Sequence, residues 1–269
     1  MHVIMKEISI EESKRIQLEI LRSVHEYCVN NGLKYTLAYG SLLGAVRHKG
    51  FIPWDDDIDI AMLRSDYEKL VSGFCHNYIK IYDYRNDIQY SYGFVKAIDT
   101  RTVLEENTTM ANFGIGIDIF PIDDMFDDES SCKNFVRTLL PIKRKFRYKL
   151  LKPSKKNVWW KRIAIRLASI SVFHYNLKDL VIQINDVIKG AGKENSRYVG
   201  VLVGTALTEK CYMPRSWFDE YCWLDFESEK FMCIKEFDKF LSYEYGDYMS
   251  LPPENKRTSP HTLNKVYWK

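Results

Sequence analysis

The chain has 269 residues, 46% apolar and 28% charged, with a net charge of +3 and an unusual aromatic load of 18 Tyr and 6 Trp. These values fit a globular protein long enough to bury a real core, as one large domain or as a core carrying a substantial insertion. No secretory leader is expected, because residues 1–7 lack a continuous apolar segment, and no membrane span, because the nearest candidate, 163–173, is short and interrupted by Arg166.

A cytoplasmic location follows as an expectation. The six cysteines, Cys28, Cys75, Cys132, Cys211, Cys222 and Cys233, include no C-x-x-C pair and read as reduced thiols. The last three are evenly spaced, but without a close-paired ligand a zinc site is disfavoured.

In chain order, Ile16, Ile20, Leu21, Val24, Tyr27 and Cys28 recur at helical spacing from about Glu11, and Gly32 is placed to end that helix. A short strand is expected over 35–39, then a small-residue turn at Gly40-Ser41 and a short helix over 42–47. The helix's first N–H groups would point back at the turn, a place where phosphate is readily held. A second strand is expected over 57–62 and a helix capped by Ser65-Asp66 through about Phe74. Strand-like stretches follow at 79–84, 92–98, 102–105 and 114–120, then helical patterning over 129–190, a strand at 198–203 and a helix over 234–245. The order predicts an α/β or α+β sheet flanked by helices.

Charge is strongly segregated. Residues 133–166 hold thirteen Lys/Arg and no Asp/Glu, so the remainder of the chain is net negative by ten. The chain therefore divides into a core, 1–128, a basic helical insert, 129–192, and a C-terminal part, 193–269, that completes the core and covers the site.

Asp55, Asp57 and Asp59 would alternate along one strand face at about 6.6–7 Å per two-residue step, with Ile58 and Ile60 turned inward. Carboxylates so close repel unless a cation neutralises them, and oxygen ligands favour Mg²⁺ or Mn²⁺. A solvated acidic turn is the plainer alternative. A calcium loop counted from Asp55 fails, because positions six and twelve hold Ile60 and Asp66 where Gly and Glu are needed. The D-x-D of nucleotide-sugar glycosyltransferases is disfavoured too, since only 56 residues precede Asp57. Asp118 supplies a third acid, on a strand whose other face is taken by isoleucines and beside Gly114 and Gly116, where a ligand could approach. Such a triad suits two-metal phosphoryl chemistry. Asp123 and Asp124, past Pro121, read as loop surface.

The motifs Tyr39-Gly40-Ser41-Leu42-Leu43-Gly44-Ala45-Val46-Arg47, Pro53-Trp54-Asp55-Asp56-Asp57-Ile58-Asp59, Ile117-Asp118-Ile119-Phe120-Pro121 and Tyr245-Gly246-Asp247-Tyr248-Met249, the last with Leu251-Pro252-Pro253, resemble the LicD family of phosphotransferases. That family is related to fukutin and fukutin-related protein. The resemblance implies a nucleotidyltransferase-like fold and transfer of a substituted phosphate, such as phosphocholine from CDP-choline, to a hydroxyl of a cell-surface glycan or teichoic-acid precursor. It also implies that Asp57, Asp59 and Asp118 bind the metal, that Asp55, a nearby fourth carboxylate, and Trp54 bind substrate, and that Gly40 and Ser41 hold donor phosphates.

Further cations are expected to assist phosphoryl transfer: Arg47, Lys96 inside its strand, and Lys256, Arg257 and His261 as a lid. A rim lysine and a solvated tail are the plainer readings of these groups. His48 is a candidate base, though a surface histidine is the simpler reading, and Asp118 is an alternative. The basic segment, with Phe146, Tyr148, Trp159 and Trp160 among its cations, suits an anionic membrane surface on the inner face and a lipid-linked acceptor better than nucleic acid, while a plain solvated helical hairpin is the simpler reading. The competing functions are a nucleotidyltransferase and a non-catalytic membrane or glycan adaptor.

Overall fold

The strand β6 (Gly116–Asp124) is the axis of a seven-stranded mixed sheet. Its Ile117 and Ile119 are fully buried, which is what the alternation of isoleucines predicts. Parallel to it runs β2 (Asp59–Leu63), with the two-residue β1 (Thr36–Leu37) antiparallel beyond. On the other side lie antiparallel β4 (Val95–Asp99) and β3 (Ile79–Tyr82). The far end of β6 pairs with β7 (Tyr198–Gly200), which pairs with β8 (Tyr212–Pro214). The computed structural model describes residues 6–105, 113–151, 153, 158–204, 211–257 and 265–269, so His261 lies outside the described residues.

Helices α1 (Ile10–Asn30), α2 (Tyr39–His48) and α3 (Arg64–Gly73) contact this sheet. α1 starts where Ser9 Oγ accepts the Glu12 amide and buries Ile16, Ile20, Leu21, Val24 and Cys28, while Gly32 takes the left-handed conformation past its end. The mixed α/β architecture, of α+β type, matches the expectation.

A second apolar cluster lies where α4 (Glu129–Leu150) meets α6 (Leu177–Ala191), with Cys132, Val136, Leu139 and Phe146 against Leu180, Val181, Ile184 and Ile188. Tyr84, Tyr90 and Met125 belong to the same cluster, so the start of the basic segment is anchored on the core rather than solvated all round. Even Lys143 on α4 is buried. By contrast α5 (Trp159–Ser171) buries no residue.

Several expectations need correction. β2 begins at Asp59, so Asp55 and Asp57 stand on the connection before the strand and do not alternate along its face. The reason is pairing: β1 reaches only Ile60 and Ala61, and the ladder with β6 starts at Asp59. Ser65 and Asp66 do not cap α3, whose N-cap is Leu63; Asp66 instead accepts the Lys34 amide at 3.0 Å. The hairpin β9 (Tyr221–Phe226) and β10 (Glu229–Ile234) occupies a stretch with no expected strand, and the helix expected from residue 234 starts later, as α7 (Phe237–Tyr245). Its turn lacks a glycine: Glu227 itself adopts a positive φ and is held from outside, its amide on the Lys49 carbonyl and its carboxylate on the Phe51 amide. A further antiparallel pair joins β5 (Thr102–Glu105) to β11 (Lys265–Trp268), and a bridge from Glu7 to Tyr267 lays the N-terminal residues beside β11.

Asp123 and Asp124 are not loop surface, because β6 continues through Pro121 to Asp124. Asp123 is 3% exposed and takes a bidentate pair from Arg64 Nε at 2.7 Å and Nη2 at 2.8 Å. Removing one partner of such a pair strands the other charge. Asp123→Ala is therefore expected to cost about 3–5 kcal/mol in urea unfolding, and Arg64→Met with Asp123→Leu markedly less; equal losses from the single and double variants would show that packing, not the ion pair, sets the cost.

Candidate active site

The site is assembled by strand register. Asp59 on β2 stands opposite Asp118 on β6, and Asp118 stands opposite Lys96 on β4. Residues in register on neighbouring strands project to the same face, so an acid, an acid and a lysine lie side by side across three strands. Lys96 Nζ lies 2.6 Å from Asp118 Oδ1 and 4.9 Å from the centre of the Tyr92 ring. The Asp59 backbone is fixed from α2: its carbonyl accepts the Ala38 amide at 2.9 Å, and its amide donates to Ser41 Oγ at 2.8 Å. Tyr39, between them, opens α2 at a φ of 45°, the left-handed conformation a non-glycine residue rarely adopts.

Ser41 is thus a buried staple for Asp59, within α2 rather than at an exposed turn before it. Gly40 has a different reason to be glycine. A Cβ there would lie 2.7 Å from Asp55 Oδ2, so the Asp55 carboxylate packs directly on the start of α2.

The four acids Asp55, Asp57, Asp59 and Asp118 strain one another. Desolvation pushes the Asp55 carboxyl up to about 7, and the charge of Asp57 and a hydrogen bond with it push the same way. Desolvation also holds Asp59 well above the ordinary carboxylate range, with the charges of Asp57 and Asp118 adding to it and Lys96 opposing. Tyr245, at the end of α7, has its phenol raised by desolvation and by Glu244, Asp59, Asp55 and Asp57.

Oxygen-only donors with surplus negative charge fit a hard divalent cation in kind. They do not form a finished shell: among the described residues no three acidic, His or Cys side chains converge as a ready coordination group, and Lys96 is paired with Asp118.

Of the expected phosphate-binding cations, Arg47 holds the C-terminal segment: Nη1 donates to the carbonyls of Tyr248 at 2.7 Å and Ser250 at 3.4 Å, and Nε to His48 Nε2 at 3.0 Å. His48 is therefore engaged by its neighbour, its pKa lowered by desolvation and by that guanidinium. Arg257 donates to the Pro252 carbonyl at 2.8 Å and lies 5.5 Å from the Trp54 ring centre. Arg257 thus brings the segment after α7 beside Trp54, and Lys256 is exposed on that segment.

Beside the acids lies a cavity of about 170 Å³ lined by Ser9, Ser13, Gln17, Tyr92, Lys96, Asp57 and Asp118 among others. Gly114 and Gly116 line it too, although their Cβ positions are blocked by the Asp99 and Ala97 carbonyls at 2.3 and 2.7 Å, so the close approach these glycines permit is mainly to β4. Gln17 was not visible as a site residue, since it falls on the α1 stripe. It is 5% exposed; its Nε2 donates to the Asp56 carbonyl at 2.6 Å, and its Oε1 finds no hydrogen-bond partner among the described residues. Tyr245 was legible only as part of a motif.

The raised Asp55 carboxyl has a pH consequence. The stability its proton provides is full below about pH 4 and is lost as pH rises toward 7. In chelator-treated protein, Asp55→Asn should raise the urea midpoint at pH 8 and change it little at pH 5; the same gain at both values would contradict the burial of that charge.

The family model LicD/FKTN/FKRP, nucleotidyltransferase domain, matches residues 32–159. The lipopolysaccharide cholinephosphotransferase LicD of Haemophilus influenzae is 31% identical over 271 residues, covering 98% of this chain and 99% of its own. Uncharacterized proteins of Rickettsia typhi and Rickettsia prowazekii are 43% and 41% identical over 63 residues, 23% of this chain and 20% and 24% of theirs. With a relative of 31% identity matched over nearly the full length of both chains, and with the family model over 32–159, the chain belongs to the LicD family.

Proposed function

We propose that this LicD-family phosphotransferase transfers phosphocholine from CDP-choline to a sugar hydroxyl of a cell-surface glycan, lipopolysaccharide or a teichoic-acid precursor, carried on a lipid at the inner face of the membrane. The observation that carries the reading is the end-to-end similarity to a lipopolysaccharide cholinephosphotransferase. The register of Asp59, Asp118 and Lys96 supports it, because such a group can neutralise and orient phosphate oxygens.

In the proposed reaction the acceptor oxygen bonds to the phosphorus of the phosphocholine group, the bond from that phosphorus to CMP breaks, and CMP leaves with the electron pair. The hydroxyl proton passes to a carboxylate lining the cavity, Asp57 or Asp118. Mg²⁺ or Mn²⁺, held by Asp57, Asp59 and Asp118, would supply positive charge against the donor phosphates and the leaving group. Lys96 supplies fixed charge at the same face, and Ser41 acts by positioning Asp59. Trp54, Arg257 and the segment tethered by Arg47 cover the donor.

The cavity takes the acceptor. At about 170 Å³ it is smaller than whole-ligand sites, which run roughly 300–1,000 Å³, and suits one sugar unit rather than a nucleotide. Gln17 Oε1 needs a hydrogen-bond donor, which a sugar hydroxyl has and a trimethylammonium group lacks.

Incubation with CDP-choline, Mg²⁺ and a lipopolysaccharide acceptor should release CMP, and Asp59→Asn should lower that rate by about 10²–10³-fold at unchanged stability. Nucleotide attached to the product would instead make the protein a nucleotidyltransferase. Full cell-surface phosphocholine with Asp57→Ala would favour an adaptor. A separate expectation concerns Gln17→Leu: the acceptor KM should rise by about tenfold with the CDP-choline KM unmoved, and a change confined to the donor would place the acceptor elsewhere.

A further inference from the structure

Helix α5 has no buried residue, yet its sequence is rich in large apolar side chains. Trp159, Trp160, Ile163, Leu167 and Ile170 are between 47% and 73% exposed, and Phe173 just beyond the helix is 74% exposed. At about 100° per residue the five helical side chains fall within an arc of about 100°. The opposite side carries Ile165, Ala168 and Ser169, which are half-buried, and Ser169 Oγ reaches the Leu151 carbonyl. The apolar arc thus points away from the protein. A contiguous patch of this kind on one exposed helix marks a surface that is covered in use.

Charge decides what covers it. Arg162 and Arg166 border the arc, and the surrounding segment 133–166 has thirteen cations and no acid. A second copy packed face to face would bring two such cationic regions together. An anionic lipid surface would neutralise them while accepting the apolar arc below its headgroups. No helix among the described residues is long and apolar enough to cross a bilayer, and α5 at 13 residues spans only about 20 Å.

We propose that α5 lies in the plane of an anionic membrane, with Trp159, Trp160, Ile163, Leu167, Ile170 and Phe173 inserted and Arg162 and Arg166 at the phosphate level. The contact is separate from the transfer site, and it stands whether or not the transferase reading does.

The test is flotation of the full chain with vesicles of phosphatidylcholine, with and without phosphatidylglycerol. The wild type should float with the phosphatidylglycerol vesicles and be released by high salt. The variant Trp160→Ser/Leu167→Ser/Ile170→Ser, whose side chains face solvent and whose thermal midpoint should be unchanged, should partition at least about tenfold less. Arg162→Glu/Arg166→Glu should lose only the preference for the anionic vesicles. Undiminished flotation of the triple-serine variant, or equal wild-type binding to both vesicles, would overturn the proposal. So would a concentration-dependent dimer that the serine substitutions abolish in a protein that binds no vesicles, which would assign the face to a second copy.

Discussion

Asp118 stands between Asp59 and Lys96 on three neighbouring strands, and the arrangement of the site follows from that register. A slip of one residue in either ladder would turn one member to the opposite face of the sheet. The buried isoleucines of β6 and the neighbouring Ile60 and Val95 prevent the slip, since it would expose them. The apolar core and the polar site are therefore two faces of one pairing pattern.

The rest of the molecule bears on that row. α2 clamps Asp59 through the Ala38 amide and Ser41 Oγ, at the cost of a left-handed Tyr39. Gly40 makes room for Asp55, and Arg47 reaches from the end of α2 to hold the segment after α7. The acids press on one another, with Asp55 and Asp59 both displaced upward, while Lys96 offsets part of that repulsion. Repulsion of this kind is relieved by a proton, and a cation bound at the same carboxylates would compete with that proton.

Much of this was legible in the sequence where a local pattern and a tertiary need coincide. The α1 stripe, the isoleucine alternation on β6 and the family motifs each report a face that must be buried or a group that must be placed. The hairpin β9–β10 was hidden because its turn is stabilised by Lys49 and Phe51 rather than by glycine. Asp123 looked like loop because Pro121 precedes it, and only the three-dimensional position of Arg64 explains its burial. Asp55 and Asp57 were placed on a strand by their spacing, but a strand needs a partner and none reaches them. Ser41 was read as a phosphate contact from its motif, whereas its hydroxyl is turned inward to the Asp59 amide. Gln17 carried no signal beyond its place in a helix.

The central claim is that Asp59 and Asp118, held in register, form one cation-binding unit. Calorimetric titration of Mn²⁺ into the metal-free protein tests it without reference to turnover. The account predicts saturable binding at pH 8 that weakens as pH falls, and its loss in Asp59→Asn and Asp118→Asn while Asp123→Asn retains it. Equal Mn²⁺ affinity in the wild type and Asp59→Asn would contradict it.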